Sequence, residues 1–135
     1  MTKEEVIDLI KDSGYCTLAT VEGTQPRVRP MSPYLTDDGK LLMALFVHLR
    51  TVRQIQENPM VEMCFVDRKM CFCRIAGKAI VSKDSAKKEI LWNNIPMLKQ
   101  YFGGISDPNF CLVEVDIKEV EAMSPQQMQP DRIKF

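Results

Sequence analysis

The stretch Pro26-Arg27-Val28-Arg29-Pro30-Met31-Ser32-Pro33 constrains the fold of this chain most. It falls within a run, Gln25 to Leu35, that reads as a β-strand, yet three prolines punctuate it. Proline has no N–H to give to a ladder, so such a strand lies at a sheet edge or is irregular. Part of its backbone is then available to something other than a neighbouring strand. Arg27 and Arg29 are two residues apart, which puts both guanidinium groups on one face of an extended chain.

The rest of the chain supplies the partners for that strand. Thr2 with Glu5 forms a capping box, Val6, Leu9 and Ile10 give the following helix an apolar face, and Gly14 ends it. Tyr15 to Glu22 is a β-rich run, followed by the turn signal Glu22-Gly23-Thr24. Asp37-Asp38-Gly39 turns the chain again into Leu41 to Val47. A short helix from Arg50 to Glu57 is stopped by Asn58-Pro59. Met60 to Asp67 and Met70 to Ser82 read as two more strands, joined at Arg68-Lys69. Asp84-Ser85 opens a helix that breaks near Pro96 and resumes through Tyr101, and Phe110 to Ile117 alternates as a last strand. The predicted fold is mainly β with flanking helices: six antiparallel strands in a small barrel, or else one flat sheet. The barrel domain spans residues 1–123, and residues 124–135, with Pro125 and Pro130, read as an irregular tail.

At 135 residues the chain is the size of one domain. Its 18 basic and 18 acidic side chains cancel, which argues against general nucleic-acid binding and against a polybasic membrane anchor. The charged start Met1-Thr2-Lys3-Glu4-Glu5 has no apolar signal core, and the longest apolar run is far too short for a membrane span, so the expected location is cytoplasmic. The five cysteines are an odd number and are expected to be free thiols. With one histidine and no second cysteine pair beside Cys71 and Cys73, no metal site is predicted. No side-chain nucleophile or acid–base pair stands out, so no catalytic residue is assigned.

Arg50 and Thr51 sit where the short helix begins, and a helix start offers unpaired N–H groups and positive dipole charge to an anion. Taken alone, this is better explained as an ordinary polar helix start, and the Arg27 strand as an exposed edge with solvated arginines. Together, in this order, the two segments would make a pocket for a phosphorylated cofactor. A flat heterocycle could pair with the backbone that the prolines leave unpaired.

The ordered set resembles a known family. The residues that carry the likeness are Leu18-Ala19-Thr20-Val21-Glu22-Gly23, Gln25-Pro26-Arg27-Val28-Arg29-Pro30-Met31, Arg50 with Gln54-Ile55-Gln56-Glu57-Asn58-Pro59, Val61-Glu62, Arg74-Ile75-Ala76-Gly77-Lys78-Ala79, and the helix around Pro96 to Tyr101. They resemble the pyridoxamine 5'-phosphate oxidase-like, FMN-binding split-barrel proteins. Within that family they are most similar to the small single-domain branch that includes nitroimidazole-resistance and general-stress proteins.

The resemblance implies a six-stranded split barrel that forms a homodimer, with two FMN molecules between the subunits. It implies phosphate contacts from Arg27, Arg29, Arg50 and Thr51, and a ring site lined by Met31, Ser32, Ala44 and Leu45. The chain departs from the family at Thr51, often lysine, at Leu45, commonly threonine, and at Phe72, where the oxidase carries glutamine. These departures leave the phosphate site with fewer donors. The oxidase's arginine- and tryptophan-rich C-terminal segment has no counterpart in Gln126-Gln127-Met128-Gln129-Pro130-Asp131-Arg132, so oxidation of pyridoxamine phosphate is not expected. The implied function is an FMN-dependent reductase of small oxidised molecules, nitroaromatics among them. The alternatives are a non-enzymatic flavin- or haem-binding carrier or sensor, and a barrel that uses a deazaflavin coenzyme.

Overall fold

A computed structural model describes residues 1–135. The Thr2 side chain accepts a hydrogen bond from the Glu5 amide and caps helix α1 (Lys3–Ser13). Gly14 closes the helix at φ 73°, a left-handed conformation that glycine adopts without a Cβ clash. Val6, Leu9 and Ile10 are the buried face, as their spacing predicts.

Three strands follow, β1 (Cys16–Glu22), β2 (Gln25–Met31) and the two-residue β3 (Tyr34–Leu35), and then β4 (Leu41–Phe46). Helix α2 (Arg50–Glu57) leads to β5 (Met60–Val66) and β6 (Phe72–Ser82). Helices α3 (Ser85–Asn94) and α4 (Leu98–Tyr101) precede the long β7 (Phe110–Met123), and β8 (Asp131–Ile133) ends the order. No helix is long and apolar enough to cross a membrane.

The strands form one antiparallel sheet in the order β2-β1-β5-β6-β7-β4-β3, with β8 paired to β7. The sheet has eight strands rather than the six expected, and hydrogen bonds do not close it. The two additions are short. The expected strand from Gln25 to Leu35 is interrupted at Ser32-Pro33, and the piece beyond the interruption pairs with β4 instead of β1. The tail is not irregular throughout: residues 131–133 pair with Val120, Glu121 and Ala122 of β7. That pairing exists because β7 runs on past the expected end at Ile117 to Met123.

β2 and β3 are opposite ends of the strand path, yet only Ser32 and Pro33 separate them in the chain. Three Cα steps span at most about 11 Å. The sheet is therefore rolled until its first and last strands nearly meet, as a barrel with an open seam. Gly77 shows how tightly it is rolled. The β6–β7 register shifts between Ala76 and Gly77, and a Cβ at Gly77 would lie 2.6 Å from the Asp116 carbonyl oxygen.

The inward faces fill the barrel with Cys16, Leu18, Leu41, Met43, Leu45, Met63, Phe65, Cys73, Ile75, Val113 and Val115, closed by Val6, Leu9 and Ile10 of α1 and by Val52 and Ile55 of α2. A second cluster lies on the outside of β4 and β7, where Leu42, Phe110 and Leu112 meet Leu91, Leu98 and Phe102 of the α3–α4 region. All five cysteines are free, and burial pushes the thiols of Cys16 and Cys73 up to about 12.

Candidate functional site

The β1–β2 hairpin sets the polar half of the site. Its tight turn at Gly23-Thr24, with Gly23 at φ 63°, pairs Glu22 with Gln25. Counting back along the ladder puts Arg27 opposite Thr20 and Arg29 opposite Leu18. Thr20 and Leu18 point inward, so the two arginines share the inward side of the edge strand. Pro26, Val28 and Pro30 take the outward side and are exposed.

Helix α2 docks beside this hairpin and brings Arg50 and Gln54, four residues apart, to the same face. The result is a network centred on Glu22. Its Oε1 accepts from Arg50 Nη2 at 2.7 Å and from Arg27 Nη2 at 3.0 Å and Nε at 3.2 Å. Its Oε2 accepts from Gln54 Nε2 at 3.1 Å. The bonds from Gln54, Arg50 and Arg27, in that order of weight, hold the Glu22 carboxyl down to about 2. Gln54 is buried, and its Oε1 accepts from Thr20 Oγ1 at 2.6 Å and Arg29 Nη2 at 2.8 Å. Arg29 Nη1 donates to the Leu18 carbonyl at 3.1 Å. Burial lowers the Arg29 pKa, and the charge of Glu22 opposes that shift.

So the structure gathers Arg27, Arg29 and Arg50 within one hydrogen-bonded cluster. Thr51 follows Arg50 in the first turn of α2, half-buried, and no side chain caps that helix start. Arg53, one turn further along the helix, is exposed and makes no hydrogen bond to Glu22.

The apolar half adjoins it. Met31, Ser32, Ala44 and Leu45 all line one cavity of about 210 Å³, together with Phe46, Leu49 and residues of the α3–α4 region, including Met97, Tyr101 and Phe102. Leu49, on its wall, immediately precedes Arg50, and Met31 lies two residues beyond Arg29 on the same strand face. One chain thus carries a guanidinium cluster and an apolar slot side by side. Phe46 anchors the slot, with ring centroids 4.8 Å from Phe102 and 6.0 Å from Tyr101. The cavity is smaller than the roughly 300–1,000 Å³ usual for a ligand pocket.

Sequence reasoning missed Glu22, Gln54 and Thr20 as one polar network, and it missed the helical wall of the cavity. Glu22 and Gln54 were both visible as residues. The signal was the i, i+4 spacing of Gln54 after Arg50, together with the two-residue turn that returns Arg27 to Glu22. Phe72, the third departure, is half-buried at the start of β6, opposite Val66 and Met123, and does not line this cavity. No group of three or more His, Cys, Asp or Glu side chains is placed to hold a metal ion.

Comparison with known proteins places this arrangement in a wider group. The family described as pyridoxamine 5'-phosphate oxidase like matches residues 1–127. General stress protein 26 of Bacillus subtilis (strain 168) is 24% identical over 135 residues, 95% of this chain and 92% of the relative. Among solved structures, a NimC/NimA family protein from Clostridium acetobutylicum superposes with a TM-score of 0.83 at 25% identity, covering 96% of this chain and 89% of that one. A pyridoxamine 5'-phosphate oxidase-related, FMN binding protein from Nostoc punctiforme shares the fold with a TM-score of 0.75 at 18% identity, over 96% and 88% of the two chains.

Proposed function

The chain belongs to the pyridoxamine 5'-phosphate oxidase like family, and from that premise we propose that it is an FMN-binding flavoprotein that reduces small oxidised molecules. The single observation that supports this best is the adjacency of the Arg27–Arg29–Arg50 cluster to the apolar slot of Met31, Ser32, Ala44 and Leu45. FMN has that duality, with a phosphate at one end and a flat apolar ring system at the other.

The residues present fit such a ligand. Arg50 is exposed and is tied to Glu22 through a single nitrogen, so its guanidinium is within reach of a ligand phosphate. Thr51 adds a hydroxyl in the first turn of α2. The slot walls are aliphatic and aromatic side chains that exclude water from a bound ring. Bound FMN supplies the hydride chemistry, and the chain's part is to orient it and to set its electrostatic surroundings. No side chain of the site needs to act as nucleophile.

A homodimer belongs to the same proposal. The slot is too small to enclose the ring, and the adjoining edge strand leaves Val28 67% exposed between Pro26 and Pro30. A second copy related by a two-fold axis would cover both.

Calorimetric titration with FMN and riboflavin tests the reading, with light scattering of the same samples. FMN should bind more tightly than riboflavin, to a dimer, and the bound protein should turn over a nitroaromatic when reduced. Equal affinity for the two flavins would sink the phosphate site. A Soret band on adding haem, with no flavin binding, would replace the reading with a haem-binding one.

A further inference from the structure

The three arginines do not stand empty. Glu22 lies at the centre of the cluster, and two guanidinium groups converge on a single one of its oxygens, at 2.7 Å from Arg50 and 3.0 Å from Arg27. That is how guanidinium groups gather round a phosphate oxygen. The donors come from β2 and α2, whereas the carboxylate comes from the last residue of β1, beside the Gly23 turn. Glu22 sits opposite Gln25 in the last rung of the hairpin ladder, and its other oxygen accepts from the buried Gln54 at 3.1 Å, a bond that an exchange must also replace.

We infer that Glu22 is a resident counter-anion, which occupies the seat of the cofactor's phosphate and is exchanged for it when the cofactor binds. The inference rests on the reading of these arginines as the phosphate site. Without ligand, the carboxylate keeps Arg27 and Arg50 drawn together and neutralises part of their mutual repulsion. Arg29 is held separately, by Gln54 Oε1 and the Leu18 carbonyl, and does not touch Glu22. It stays in place while the exchange happens.

Exchange makes the site selective for charge. A ligand must offer Arg27, Arg50 and Gln54 more than the ion pairs and the amide hydrogen bond it displaces. A phosphomonoester carries roughly −1.5 to −2 charges at neutral pH and three acceptor oxygens. A carboxylate or a phosphodiester brings only one charge and so gains little over Glu22. The site therefore favours terminal phosphate monoesters over singly charged anions. Glu22 also weakens the binding of the right ligand, because every association breaks its own hydrogen bonds, and the cofactor becomes exchangeable.

The test is Glu22→Gln, which keeps the shape and removes the charge. FMN, riboflavin and inorganic phosphate are titrated into wild type and variant at low salt. The variant should bind FMN and inorganic phosphate about tenfold more tightly, as expected for removal of one competing ion-pair partner, with riboflavin unchanged. Unchanged or weaker FMN binding by the variant would overturn the inference and leave Glu22 as a residue that merely positions the arginines. A wild type that does not prefer FMN to riboflavin would instead defeat the phosphate site itself. The wild-type chain gives a second readout that no variant is needed for. The carbon-13 resonance of the Glu22 carboxyl should move when inorganic phosphate or FMN is added, and should not move with riboflavin. A resonance that stays still at saturating FMN would overturn the exchange.

Discussion

β2 and β4 both border the candidate site, and they are built in opposite ways. β4 is covered on both sides: Leu41, Met43 and Leu45 point into the barrel, and Leu42, Ala44 and Phe46 point to the α3–α4 layer. β2 is an edge strand with one ladder, three prolines in or beside it, and arginines on its inward side. One wall of the site is held by packing, and the other by hydrogen bonds to charged groups. Packing ties the apolar wall to the stability of the whole domain. The exposed arginines of the charged wall can change with little cost to the fold. Substitutions on the two sides should therefore separate folding from binding.

The largest expected effect is on the packed wall. Leu45→Ala removes a side chain that is 3% exposed and lies in the main core cluster. Denaturant unfolding should show a loss of about 2–5 kcal/mol, with FMN affinity falling as well. A loss below about 0.5 kcal/mol would erase the contrast, since Leu45 would then be as expendable as a surface residue.

Gln54→Leu lies between the two extremes, because Gln54 is a buried polar side chain on the charged wall. Its loss leaves Thr20 Oγ1 and Arg29 Nη2 without their acceptor. Unfolding should cost about 1–3 kcal/mol, the desolvation penalty of polar groups left unpaired. A neutral outcome would mean that the network adjusts freely and carries no structure.

The smallest effect on stability, and the cleanest on binding, is expected at Arg50. Arg50→Ala should change stability by less than about 0.5 kcal/mol. FMN affinity should fall roughly ten- to hundredfold, the worth of one charge-assisted hydrogen bond. Arg53→Ala, beyond the first turn of the same helix and outside the Glu22 cluster, should leave FMN binding near wild type in the same titration. Equal losses for Arg50 and Arg53 would show that charge near the helix matters and that the geometry of the cluster does not.

Much of the architecture is legible in local signals. Thr2 and Asp84 cap helices where their side chains predict, and α2 spans Arg50–Glu57 as Asn58-Pro59 requires. The Gly23-Thr24 turn is enough to place Arg27 and Arg29 on one face with Thr20 and Leu18. The cavity residues Met31, Ser32, Ala44 and Leu45 came from family resemblance, and no local rule would have joined β2 to β4. The residues missed depend on long-range contacts. β8 is a strand only because β7 extends beyond Ile117 to receive it. β3 leaves β2 because proline ends one ladder and β4 offers another. Gln54 reads as a solvated helix residue until the hairpin covers it.

The seam between β2 and β3 has a consequence of its own. Most barrels are laced all the way round, and a guest can enter the wall only by tearing ladder bonds. Here the lacing stops on either side of Ser32 and Pro33, and Ser32 itself faces the cavity. A flat molecule laid along that opening would add bonds to bare strand edges without first breaking any. If the proposed FMN lies there, it would act as the missing stitch, and the barrel would be most complete when occupied.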